Sequence, residues 1–136
     1  MIWSNELEQS VLSCLIIDPA CEIDSLSDDD FADGRNKKIF TAIKKIHTAG
    51  KNIDHVVVYG ELKNQVRLDY LMSIGNMMPS TSNYEVYVQQ LKEMTKQRKL
   101  YYLADEIMRG IKQNKEGIYE LAVSGLNALK DGKAVS

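Results

Sequence analysis

A run of about 30 residues without proline begins at Tyr84, and its apolar members fall three and four apart. They are Tyr84, Tyr87, Val88, Leu91 and Met94, then Leu100, Leu103, Ala104, Ile107 and Ile111. A helix places residues so spaced on one face, and a strand does not. The spacing predicts one long helix, bent or interrupted near Arg98 or Gly110. Asn114 to Gly117 breaks the pattern, and Ile118, Leu121, Ala122, Gly125, Leu126 and Leu129 resume it. Two helices joined by so short a loop form an antiparallel hairpin. Burying one side of such a hairpin does not offset the entropy of ordering it. The apolar stripes therefore need a third surface, either the N-terminal helices or another copy of the chain. Gly125, small and on the apolar face, permits close approach in either case.

Upstream, helical signals recur at shorter range. Ser4 or Asn5 can cap a first helix, and Asn5 with Glu8 fits a capping box. Leu7, Val11, Leu12, Leu15 and Ile16 then keep helical spacing up to Pro19. Ile23 and Leu26 suggest a helical turn, and Ser27 with three aspartates opens another near Phe31. From Asn36 to Thr48, Ile39, Phe40, Ile43, Ile46 and His47 mark one helix face, which Gly50 ends. The stretch "NIDHVVVYGEL" (52–62) has strand-like valines. Asp54 as cap places Ile53 and Val58 as a hydrophobic staple, and four consecutive apolar residues cannot share one face of a strand, so a short helix is expected. Leu68, Leu71 and Met72 predict another, closed by Gly75 and Asn76, and Asn83 can cap the long helix.

Composition narrows the chemistry. With 44% hydrophobic and 26% charged residues the chain is an ordinary globular one, and two prolines and eight glycines disfavour a turn-rich sandwich or barrel. No apolar run reaches membrane-spanning length, and "MIWSNELEQS" lacks a basic leader region, so a cytoplasmic chain without membrane contact is expected. Cys14 and Cys21 have no metal or redox spacing and read as reduced thiols. The phosphate-loop pattern is absent, "AGKN" (49–52) lacking both the upstream glycine and the hydroxyl. His47 and His55 have no evident third ligand, and His47 fits a partly buried place on its helix. No catalytic, metal-binding or cofactor-binding residue is therefore expected. A net charge of −2 disfavours generic nucleic-acid binding, although acids cluster in 18–33 and bases in 35–51. Tyrosines such as Tyr101 and Tyr102 suit packing better than base stacking.

The ordered pieces resemble a known family. "LEQSVLSCLIIDP" (7–19) is similar to the opening helix of the N-terminal domain of DnaB-type replicative helicases. "LSDDDF" (26–31), "IFTAIKKIHTAGKNIDHVVVYGEL" (39–62) and "DYLMSIGNMMPSTSNYEVYVQQLKEMTKQRKL" (69–100) resemble its later segments in the same order. The usual Gly-Gly turn after Leu62 is replaced by "KNQVR", and a Tyr and His expected after Phe31 by "ADGRN", which suggests a divergent member of phage or plasmid type. The resemblance implies a non-catalytic collar domain that pairs into dimers or a ring-type oligomer and docks primase or a helicase loader. The motor domain is missing from a chain that ends "KDGKAVS", so either an excised helicase fragment or a stand-alone homologue is implied. The latter would bind a helicase to load, regulate or inhibit it.

The expectation is thus an all-α protein: a globule of several short helices over 1–98, then a helical hairpin over 99–136 whose base is the end of the long helix. The residues expected to carry self-association are Leu100, Leu103, Ile107, Ile111, Ile118, Leu121, Gly125, Leu126 and Leu129. Direct nucleic-acid binding, weak or absent, would use the basic helix within 35–51.

Overall fold

The computed structural model describes residues 2–130, all helix and loop. The order is α1 (Asn5–Ile17), a 3-10 turn (Asp28–Asp30), α2 (Gly34–Thr48), α3 (His55–Leu62), α4 (Leu68–Gly75), α5 (Tyr84–Lys112) and α6 (Ile118–Lys130). The all-α expectation holds. Residues 131–136, the end of the expected hairpin segment, lie outside the described residues. Contacts gather the chain into two units, Trp3–Lys92 and Glu93 onward, the latter also including Ile2. The division falls within α5, and the 98/99 boundary drawn from sequence lies further along the same helix.

The first unit is built on α2, which packs against α1 and α3, while α1 also packs on α4. Its core takes Leu12 and Leu15 from α1, Phe40 and Ile43 from α2, Val58 from α3, Leu71 from α4 and Leu91 from α5. Phe31 stacks on Phe40 with ring centres 4.8 Å apart. The valine stretch is the short helix α3. Asp54 caps it by accepting the Val57 N–H at 2.8 Å, and Val58 is fully buried as the staple requires. Val56 and Val57 face outward, so their strand preference is overridden by the cap and by Val58.

Of the two caps expected for α1 one is used, and the Asn5–Glu8 capping box does not form. Ser4, not Asn5, caps α1, accepting the Leu7 N–H at 3.2 Å. Glu8 therefore closes no capping box. It is 1% exposed and spans to the next segment, accepting the Ala32 N–H at 3.0 Å, the Asp33 N–H at 3.2 Å and Asn36 Nδ2 at 3.1 Å. Asn36 also donates to Asn5 Oδ1 at 2.6 Å, and the Tyr70 hydroxyl donates to Asn36 Oδ1. Arg35 stacks over the Tyr70 ring at 4.0 Å, held by a two-pronged pair with Asp33. This network fastens α1, α2 and α4 together. Ile23 and Leu26 form a hydrogen-bonded turn rather than a helix, the Leu26 N–H donating to the Ile23 carbonyl at 3.0 Å. His47 is exposed, one residue past the buried Ile46. Its neighbourhood to an apolar residue in sequence misled the expectation of partial burial.

Helix ends follow local chemistry. After α2, Gly50 at φ 72° lets its N–H donate to the His47 carbonyl and the Lys51 N–H to the Ile46 carbonyl, a Schellman closure. After α3 the turn is left-handed at Lys63 (φ 51°) and Asn64 (φ 64°), a region that asparagine favours and lysine adopts reluctantly. The Tyr59 hydroxyl donates to Asn64 Oδ1 at 3.1 Å and holds the turn. These two residues stand where the resemblance expects glycines.

The loop before α5 is tied down from beneath. The Met78 N–H donates to Ser13 Oγ at 3.2 Å, Thr81 Oγ1 to Asp18 Oδ2 at 3.0 Å, and the Tyr84 hydroxyl to the Glu22 carbonyl at 2.6 Å. Cys14 lies fully buried beside this region, and burial, with Cys21 and Asp18 adding, pushes its thiol from 9.0 up to about 11. Burial raises the Tyr84 phenol in the same direction.

Glu8→Ala should cost roughly 3 kcal/mol in urea unfolding, since the Ala32 and Asp33 N–H groups and the buried Asn36 amide lose a charged acceptor, and Glu8→Gln, which keeps one acceptor, should cost less. A raised thiol keeps its proton in the folded chain while the unfolded chain ionises, so its contribution is complete below pH 9 and is lost as pH rises toward 11. Urea unfolding of the reduced protein should lose stability across that window, and Cys14→Ala should make the loss shallower without abolishing it, since Cys21 and Tyr84 are raised in the same direction.

Candidate functional site

The second unit is the hairpin. Its first arm is the part of α5 from Glu93, and α5 is one uninterrupted helix of 29 residues, about 43 Å long at 1.5 Å per residue. It is interrupted at neither Arg98 nor Gly110. Arg98 is buried, and its Nη1 donates to the Ile2 carbonyl at 2.7 Å while Nη2 donates to Thr95 Oγ1 at 3.3 Å. Gly110 serves packing: a Cβ built there would lie 2.1 Å from Ile118 Cδ1. The arm ends at a second Schellman closure, with Asn114 at φ 52°, its N–H donating to the Ile111 carbonyl and the Lys115 N–H to the Gly110 carbonyl.

Glycines set the spacing of the two arms. Gly125 of α6 faces Leu103 of α5, and a Cβ there would stand 2.6 Å from Leu103 Cδ1. The pairs Gly110–Ile118 and Leu103–Gly125 step evenly away from the turn, as antiparallel arms require. Leu103, Gly125 and Leu129 are buried, and Ile107, Ile118 and Leu121 are half-buried. These six of the nine expected residues belong to the inside or edge of the hairpin.

The other three point out. Leu100 is 47% exposed, Ile111 62% and Leu126 50%. They are joined outside by Tyr101, Tyr102 and Met108 on α5 and by Tyr119 and Val123 on α6. Sequence reasoning missed Met108, Tyr119 and Val123; Tyr101 and Tyr102 it read as packing residues. Tyr119, Val123 and Leu126 do carry a signal, an i, i+4, i+7 stripe beside the inward one, but a glycine-centred stripe masks it. A helix pair with an apolar inner seam and a second apolar outer face has a surface that water does not favour. Lys112 and Lys115 are exposed at the turn end of the hairpin.

Among the described residues no three His, Cys, Asp or Glu side chains gather as a metal site. No helix is long and apolar enough to cross a membrane.

Residues 2–93 match the family model of the DnaB-like helicase N terminal domain. The chain is 30% identical over 113 residues to the replicative DNA helicase DnaB of Geobacillus stearothermophilus, covering 76% of this chain and 25% of that protein. It is 31% identical over 111 residues to the replicative DNA helicase DnaC of Bacillus subtilis (strain 168), covering 75% and 24%. The chain thus spans about a quarter of the length of these relatives. In structure it is similar to the N-terminal domain of DnaB helicase from Mycobacterium tuberculosis, with a TM-score of 0.83 at 19% identity over 93% of this chain and 96% of that one. A DnaB-like replicative helicase solved for its interactions with primase gives a TM-score of 0.77 at 20% identity, over 93% of this chain and 31% of that one. These two likenesses carry the fold, and the family match carries the kinship: the chain belongs to the DnaB-like helicase N-terminal domain family.

Proposed function

We propose that this chain is an assembly module of a replicative DNA helicase, self-associating through the outer face of its hairpin and offering a docking platform to primase or a helicase loader. The observation that carries this reading is the exposed apolar face of Leu100, Ile111, Tyr119, Val123 and Leu126. Exposed aromatic and aliphatic side chains on a rigid two-helix support are the material of protein interfaces, and their burial against a second copy removes apolar surface from water. Docking of primase rests on the similarity to a helicase solved with regard to its interactions with primase. The module performs no catalysis in this reading. Its contribution is to hold subunits and partners at fixed places.

The division between inner and outer residues separates self-association from folding. Leu126→Asp should weaken self-association at least tenfold in sedimentation velocity while helicity and the unfolding midpoint stay near the parent values. Gly125→Leu should do something different. It forces bulk against the buried Leu103 and should lower thermal stability of the hairpin as well as association, by on the order of 1–3 kcal/mol for overpacking. A parent protein that sediments as a monomer at tens of micromolar would overturn the self-association reading.

A further inference from the structure

The exposed apolar residues of the hairpin gather on one side of it. Leu103 and Gly125 are the inward positions of α5 and α6, since they meet across the seam. Counting about 100° per residue from these, Leu100, Met108 and Ile111 of α5 and Tyr119, Val123 and Leu126 of α6 all fall between about 60° and 160°, in the same rotational sense. In antiparallel arms, equal rotation away from the seam brings both sets to the same side. Tyr102, at about 260°, faces the opposite side. The even step from Gly110–Ile118 to Leu103–Gly125 sets Met108 level with the turn of α6 that carries Tyr119 and Val123. Met108 thus stands within the patch, 53% exposed, between Leu100 and Ile111 along its own helix.

Among the described residues Met108 is also the sulfur most open to solvent. Met72, Met77, Met78 and Met94 are half-buried, and Met108 alone of the described methionines is exposed. Cys14 is buried, and burial holds its thiol and that of Cys21 protonated, the form that oxidants attack least. We propose that Met108 is an oxidation site through which two-electron oxidants of the hydroperoxide class weaken self-association of the hairpin, a regulation that rests on the self-association reading above. In this step the thioether sulfur attacks the terminal oxygen of the hydroperoxide. The O–O bond breaks, an S–O bond forms, and the remaining alkoxide takes up the hydroperoxide proton and leaves as the alcohol. Sulfur loses two electrons and the peroxide gains them. The sulfoxide is polar, and an apolar partner face offers its oxygen no hydrogen bond to replace those from water. The coupling runs both ways: association covers Met108 and slows its oxidation, and oxidation disfavours the covered state.

The test treats the folded whole chain with dilute tert-butyl hydroperoxide. Peptide mass mapping locates the added oxygen, and sedimentation velocity reads self-association. Met108 should be oxidised ahead of Met72, Met77, Met78 and Met94, more slowly as protein concentration rises, and with helicity unchanged. The oxidised chain should associate roughly tenfold more weakly or worse, as a polar group placed in an apolar interface requires. Met108→Leu, which keeps the volume and the apolar character, should associate like the parent both before and after the oxidant. Met108→Gln should associate weakly without any oxidant. The proposal is overturned if the Met108 sulfoxide leaves the association constant unchanged, or if Met108→Leu loses association on oxidation as the parent does. An untreated parent that sediments as a monomer overturns the self-association reading and this regulation with it. An associating parent that is indifferent to the sulfoxide overturns the regulation alone.

Discussion

Burying the Glu8 carboxylate in the first unit is the step on which its architecture rests. A carboxylate taken out of water is costly unless hydrogen bonds replace its hydration, and here three N–H donors from the segment leading into α2 do so. Satisfying the group fixes where Ala32 and Asp33 lie, and Asp33 in turn caps α2 by accepting the Arg35 and Asn36 N–H groups. The position of α2 then decides what α1 and α3 pack against. A second buried carboxylate repeats the device: Asp30, fully buried, accepts the Ser27 N–H at 2.9 Å and pairs with Lys92 of α5 at 2.6 Å. Polar groups inside this unit thus select one arrangement of helices where apolar contact alone would tolerate several.

The hairpin is organised by the opposite means. Its arms meet through absent side chains, at Gly110 and Gly125, and the space is taken by Ile118 and Leu103 from across the seam. Close approach lets two short apolar stripes bury each other well enough to leave a second set of apolar residues for the outside. The glycines that weaken helix propensity are in this way what brings the two arms close enough to share one seam.

How much of this was legible in the sequence follows from the range of the interactions involved. Caps, staples and helix stops are local, so Asp54 with Val58 and Gly50 were readable from spacing alone. The long helix was readable too, but Arg98 and Gly110 resembled breaks because their roles are non-local: one reaches back to the Ile2 carbonyl, the other makes room for Ile118. Glu8 misled for the same reason. Its partners lie 24 to 28 residues away, and nothing nearby shows that the carboxylate turns inward. The nine residues expected to carry self-association followed one apolar stripe per arm, whereas the arms carry an inner stripe and a second, exposed one. Only side-chain exposure tells Leu126 from Leu129, three residues apart on the same helix.

The left-handed pair Lys63–Asn64 bears on what holds the corner between α3 and α4. Glycine enters the left-handed region freely and asparagine more readily than most residues, whereas lysine does so at a cost. The reversal therefore draws on its surroundings, Val58 and Leu71 reaching a common core and the Tyr59 hydroxyl finding Asn64. The corner is thus held by the helices it connects rather than by its own backbone preference.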